Sequence, residues 1–195
     1  MAVNPFPNPY PAATPQLAYN FNFGQPLPGT PSSEAGAVEE VVTGVQPAGY
    51  SIFGCLVVND ASVSFAEPNI GNGPQAGQGI KHPASSGDVT GGVVGIVMRS
   101  AAMETRRDTY PPSYAPNQMV NVLRAGRIWT ASEVAVTKHD PVYVRITANG
   151  ALNTLGALRN DADGGNAVLV PGAKWYDTQA TPGAPARAEL MVLAQ

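Results

Sequence analysis

Almost nowhere in this chain do apolar residues recur at helical spacing, because glycine or proline interrupts nearly every candidate run. There are 21 glycines and 19 prolines among 195 residues, and each costs a helix interior about 1 to about 3 kcal/mol. What remains is a series of short β-runs bounded by Gly, Pro, Asn and Asp. Residues 50–58 form the first, ended by Asn59-Asp60, and residues 63–65 alternate before Pro68-Asn69. Residues 93–98 make a glycine-interrupted apolar strand. Residues 119–122 lead into an Ala125-Gly126 turn, after which residues 127–130 restart an extended run. Val142, Val144 and Ile146 share one strand face with Tyr143 and Arg145 opposite. Asn149-Gly150 then predicts a hairpin turn with positive φ at both central residues, and residues 151–155 its return strand. Runs at 167–170, 174–176 and 188–193 complete the set. Residues 32–42 fit a short helix or a strand: Ser33 can cap, but Gly36 and Val41-Val42-Thr43 weaken the helix. The expected fold class is all-β, an antiparallel β-sandwich or jelly-roll-like barrel.

To this core the sequence adds an extended Pro-rich N-terminal arm. The first 33 residues carry no charged side chain, yet hold eight prolines and five aromatics. Pro5, Pro7, Pro9 and Pro11 lack a backbone N–H and fix φ, which favours extended or polyproline II chain. Disordered tails ordinarily stay soluble through charge and are poor in aromatics. An uncharged arm bearing Phe6, Tyr10, Tyr19, Phe21 and Phe23 instead suits contact along a neighbouring surface, with those rings as anchors. The expected organisation is an interaction arm over residues 1–37 and a β-sandwich or barrel domain over residues 38–195. A Gly-rich loop at residues 68–92 interrupts that domain.

Charge and motifs exclude several functions. Net charge is −3 with 13% of residues charged, roughly half the usual share. Arg106-Arg107 is the lone adjacent basic pair, so no nucleic-acid footprint is expected. No apolar run approaches the ~18 residues of a membrane span, and no signal peptide is legible at the N-terminus. Cys55 is the single cysteine, in apolar surroundings, and is expected to be a buried thiol. Gly71-Asn72-Gly73-Pro74-Gln75-Ala76 has the letters of a dinucleotide fingerprint, but Gly77-Gln78-Gly79 cannot open the helix it needs. His82 and His139 have no second histidine at ligand spacing. The oxygen-rich run 160–166 lacks the downstream Glu of a calcium loop and reads as a solvated turn. No catalytic residue, metal or cofactor is expected.

Motifs in the last third carry a resemblance. Gly126-Arg127-Ile128-Trp129, Lys138-His139-Asp140-Pro141-Val142-Tyr143-Val144, Asn149-Gly150, Val170-Pro171-Gly172-Ala173-Lys174-Trp175 and the closing Ala188-Glu189-Leu190-Met191-Val192-Leu193 resemble tailed-phage capsid cement, or head decoration, proteins. His139 stands where that pattern usually has glycine. The resemblance implies a structural virion protein on the outer surface of an icosahedral head, assembled in the host cytoplasm. Its implied partners are the major capsid protein and further copies of itself, as a symmetric dimer or trimer. Two other readings stand beside it. One is a β-sandwich module recognising carbohydrate or host surface, stacking ligands on Trp129, Trp175, Tyr110 and Tyr114. The other is a hydrolase using His82 or His139 with Asp140.

Overall fold

The structure, a computed structural model, describes residues 27–32, 40–46, 49, 51–62, 78–99 and 113–191. In chain order these form β1 (Glu40–Val45), β2 (Ser51–Ile52), β3 (Leu56–Asn59), β4 (Gln78–Lys81), α1 (Ser86–Gly92), β5 (Val93–Val97), β6 (Ser113–Tyr114), β7 (Met119–Ala131), β8 (Pro141–Arg145), β9 (Leu158–Arg159), β10 (Ala167–Trp175) and β11 (Pro185–Met191). The all-β class is as expected.

The architecture is not two stacked sheets. One sheet of nine strands runs β1-β4-β3-β5-β7-β11-β10-β8-β9, and β1 also pairs with β7. The strands β1-β4-β3-β5-β7 therefore close into a ring. Its seam is the short parallel pairing of Gly44 with Gln78 and Val45 with Gly79. Beyond β7 the remaining strands curl back, and a parallel bridge from Ser132 to Leu158 brings β9 against the end of β7. Of the expected alternatives, a β-sandwich or a jelly-roll-like barrel, the sheet is closed and barrel-like, and closure removes exposed edges.

Strand β7 joins the two halves. The expected turn at Ala125-Gly126 does not form; the strand runs straight through for 13 residues. What changes at that point is the partner. Residues 119–125 pair with β1, whereas residues 125–131 pair with β11. Gly126, at φ 126°, lets the backbone bend at the exchange without breaking the ladder.

Burial on both faces explains the continuous apolar runs. Leu56, Val58, Ile96, Leu123 and Ile128 belong to one buried cluster, with Trp175 and Leu190. Val57, Val94, Val97, Val120 and Val122 face a second, with Ile80, Phe53 and Tyr114. Strands β3, β5 and β7 thus separate two cores, and a strand covered on both sides has no reason to alternate.

Three further expectations change. Part of the stretch 68–92 is ordered as β4 and α1. The helix forms despite two terminal glycines because Ser85 Oγ accepts the Asp88 N–H and the Asp88 carboxylate accepts the Ala84 N–H, while Val89 is buried. The runs at 167–170 and 174–176 are one strand, β10, whose register against β8 shifts between Leu169 and Lys174, with Gly172 at φ 73°. The Asn149-Gly150 turn is present one residue out of phase. Asn149 and Leu152 exchange backbone hydrogen bonds, which makes Gly150 and Ala151 the central pair, with positive φ at Gly150. The strand paired with β8 is then β9, not residues 151–155.

Candidate interaction site

The anchors Phe6, Tyr10, Tyr19, Phe21 and Phe23 lie outside the described residues. Residues 27–32, within the stretch expected to be an arm, are bonded into the barrel. Gly29 N–H donates to Trp129 O at 2.7 Å, Trp129 N–H to Thr30 O at 2.9 Å, and Ser32 N–H to Arg127 O at 2.8 Å. On the other side Arg99 N–H donates to Gly29 O at 2.7 Å. The segment therefore fills the edge of β7 left open beyond β5. Gly29 is required there: its φ is +85°, and a Cβ would lie 2.8 Å from Arg99 N. Leu27, the first described residue, is 54% exposed.

A cluster of charged side chains adjoins the first core at Trp175. Arg145 is fully buried; its guanidinium grips the Glu133 carboxylate through Nε at 2.6 Å and Nη2 at 2.8 Å. Nη2 also reaches Asp163 Oδ2 at 2.9 Å. Arg159, 4% exposed, shares Glu133 and Asp163 and bonds Asp161. Its carbonyl accepts the indole N–H of buried Trp175 at 3.2 Å. Hydrogen bonding from Asn149, then from Arg145, holds the Asp163 carboxyl below its usual range. The Glu133 carboxylate raises the Arg145 pKa further, against a partial lowering by burial. The run 160–166 thus spends its carboxylates on two arginines, which accounts for its oxygen-rich spelling without calcium.

The outer face of β7, β11 and β10 carries a second cluster, of cations and rings. Register places Arg127 opposite Glu189 and Trp129 opposite Arg187, with Lys174 beside Glu189. The Tyr176 ring meets Arg127 at 3.9 Å, Arg187 at 4.7 Å and Lys138 at 5.1 Å. Arg187 also lies 5.0 Å from the Trp129 ring. Carboxylates fix the arginines in place: Asp177 binds Arg187 through Nε and Nη2, each at 2.7 Å, and Glu189 bonds Arg127 at 3.0 Å. For Asp177 and Glu189, burial pushes the carboxyl upward, but the bonds from their cations outweigh it and both lie below the usual range. Sequence reading missed this face. Its signal was the alternation Arg127, Trp129 and Arg187, Glu189 on two separate strands, which only pairing aligns.

The other sequence candidates are absorbed into structure. The four-ring stacking platform does not assemble: Trp175 and Tyr114 are fully buried, and Tyr110 lies outside the described residues. His82 Nδ1 contacts Leu56 O at 3.2 Å, and Nε2 accepts the Ile52 N–H. Asp140 Oδ2 accepts from Thr137 N–H and Asn160 Nδ2. His139 occupies a left-handed turn at φ 74°, its N–H on Trp175 O. Burial, with the Glu133 charge adding to it, pushes the Cys55 thiol up to about 12, which leaves it protonated and inert at neutral pH.

The family model described as structural cement protein (E217 gp24/Pam3 gp6) matches residues 15–191, so the chain belongs to that family of phage capsid proteins. Among solved structures, a chain from "The capsid of Myoviridae Phage XM1" matches with a TM-score of 0.58 at 18% identity, over 89% of this chain and 98% of that one. That likeness concerns the fold. No curated protein matches.

Proposed function

We propose that this chain binds the outer surface of an icosahedral phage head and stabilises it by bridging major capsid subunits. It acts there as a symmetric homo-oligomer, a dimer or trimer, with the arm as its clamp. The family match over residues 15–191 carries the reading. The fold supports it mechanically. An arm anchored at residues 27–32 by backbone bonds to β7 transmits pull into a closed sheet rather than a frayed edge. Cementing needs added buried interface across a seam that head expansion strains. About 1,600 Å² per contact is enough for specific attachment, and repetition over a shell multiplies it.

The test is co-sedimentation of the purified protein with expanded heads, using the full chain and a variant lacking residues 1–26. That deletion spares the segment bonded to β7. Full-length binding that raises the temperature of DNA release, with binding lost on truncation, is the expected result. Failure of the full chain to bind would overturn the cement role, and undiminished binding by the truncated form would overturn the clamp.

A further inference from the structure

The Asn149-Gly150 pair has a chemistry that neither the fold nor the cement role uses. Where glycine follows asparagine, its backbone nitrogen reaches the asparagine carboxamide with no side chain in the way. The turn leaves that nitrogen open to react. Its two backbone bonds join Asn149 to Leu152, and among the described residues nothing accepts the Gly150 N–H. Both residues are exposed. Gly150 sits at φ 60°, and no atom lies within 4 Å of the place a Cβ would take. The carboxamide itself is tied to the buried ion cluster. Asn149 Nδ2 donates to Asp163 Oδ2 at 3.1 Å and to Oδ1 at 3.2 Å. Asp163 Oδ2 is also the atom that Arg145 and Arg159 share, at 2.9 and 3.0 Å.

We propose that Asn149 is a spontaneous deamidation site, and that its conversion to aspartate or isoaspartate weakens the ion cluster of Arg145, Arg159, Glu133 and Asp163. The Gly150 nitrogen loses its proton to solvent and bonds to Asn149 Cγ. The bond from Cγ to Nδ2 breaks, ammonia leaves, and a cyclic succinimide remains. Water then opens the ring at either carbonyl, which yields aspartate or isoaspartate and one new carboxylate. Water is the sole co-reactant. The product exchanges a donor to Asp163 for a like charge beside it. Arg145 and Arg159 already face three carboxylates, those of Glu133, Asp161 and Asp163, so the added charge finds no free guanidinium. Isoaspartate also lengthens the main chain by a carbon, which displaces the bonds between Asn149 and Leu152.

The test incubates the folded full chain at mildly alkaline pH. Asn72→Ser is run alongside to remove the other Asn-Gly of the sequence, which lies outside the described residues. Trypsin cuts after Arg145 and Arg159 and leaves Asn149 and Asn153 in one peptide, so fragment masses compare them directly. Conversion about tenfold faster at Asn149 is expected, because Thr154 sets a branched side chain beside the nitrogen that follows Asn153. Aged protein and the variant Asn149→Asp should show the same fall in urea midpoint at neutral pH. Asn149→Ser should show a smaller fall that does not grow with incubation. The deficit of Asn149→Asp relative to Asn149→Ser should shrink as pH drops through the carboxyl range, because protonating either carboxyl removes the repulsion. If Asn149 in the folded chain converts no faster than Asn153, the site is overturned. If Asn149 converts but aged protein and Asn149→Asp keep the wild-type midpoint, its coupling to the arginine cluster is overturned. A deficit that does not change with pH would overturn the like-charge cause.

Discussion

At the scale of single residues, two non-glycine positions with positive φ show how conformation and chemistry divide. His139 sits at φ 74° and Asp163 at φ 46°, a region that costs an L-residue about 1–2 kcal/mol. Asp163 cannot be replaced without loss, since its carboxylate serves Arg145 and Arg159. His139 contributes its backbone N–H, which glycine also has. Replacing His139 with glycine should therefore stabilise the protein by about 0.5–1 kcal/mol in urea unfolding, after the greater freedom of glycine in the unfolded chain is subtracted. Glu133→Gln should do the reverse. It leaves two buried guanidiniums short of a shared carboxylate and should cost about 3 kcal/mol, measured the same way. A variant within 1 kcal/mol of wild type would mean water satisfies both arginines.

Secondary-structure elements show where sequence patterns served and where they misled. Strands over 93–97 and 141–145 were legible because apolar runs and alternation reflect local burial. The glycine at 95 was read as lying within a strand, whereas Ala125-Gly126 was read as a turn and the Pro171-Gly172 stretch as a break between two runs. Gly126 and Gly172 bend strands that continue, because neighbours on both sides supply hydrogen bonds that outweigh a local turn preference. Gly95 is the sharpest case. At φ 152°, a Cβ there would lie 2.1 Å from Leu123 O, inside the β5–β7 ladder. Gly95→Ala should thus separate β5 from β7 and lower stability by about 2–3 kcal/mol or more. Retained amide protection at Met98, whose N–H bonds Asn121 O on β7, would contradict that.

For the molecule as a whole, acid is the informative variable. Asp88, Asp163, Asp177 and Glu189 all have carboxyl pKa values lowered in the folded state. Asp88 is lowered first by the Ala84 N–H and then by its contacts with Lys81 and Ser85. A lowered folded pKa means the unfolded chain takes up protons first, so this stability is complete above the unfolded carboxyl range and is lost as pH falls from there through the lower folded pKa values. The urea midpoint should be flat from neutral down to about pH 5 and fall steadily below about pH 4.5. Substituting Asp163 with asparagine should shallow that fall; an unchanged slope would assign the acid response to other carboxyls.

The sequence alone determined the all-β class, the uncharged aromatic character of the arm and the cement-family resemblance. These depend on composition and short-range pattern: helix breakers every few residues, alternation at 142–146, and motifs within a few positions of one another. Tertiary structure alone decided the closure of the sheet through β1, β4 and β7, the change of partner along β7, and the docking of residues 27–32 on Trp129. It also brought Arg127, Trp129, Tyr176 and Arg187 onto one face. Each of these depends on pairing between strands tens of residues apart. Backbone groups are identical at every position, so partner choice is set by how two cores can be buried at once, which no local stretch of sequence records.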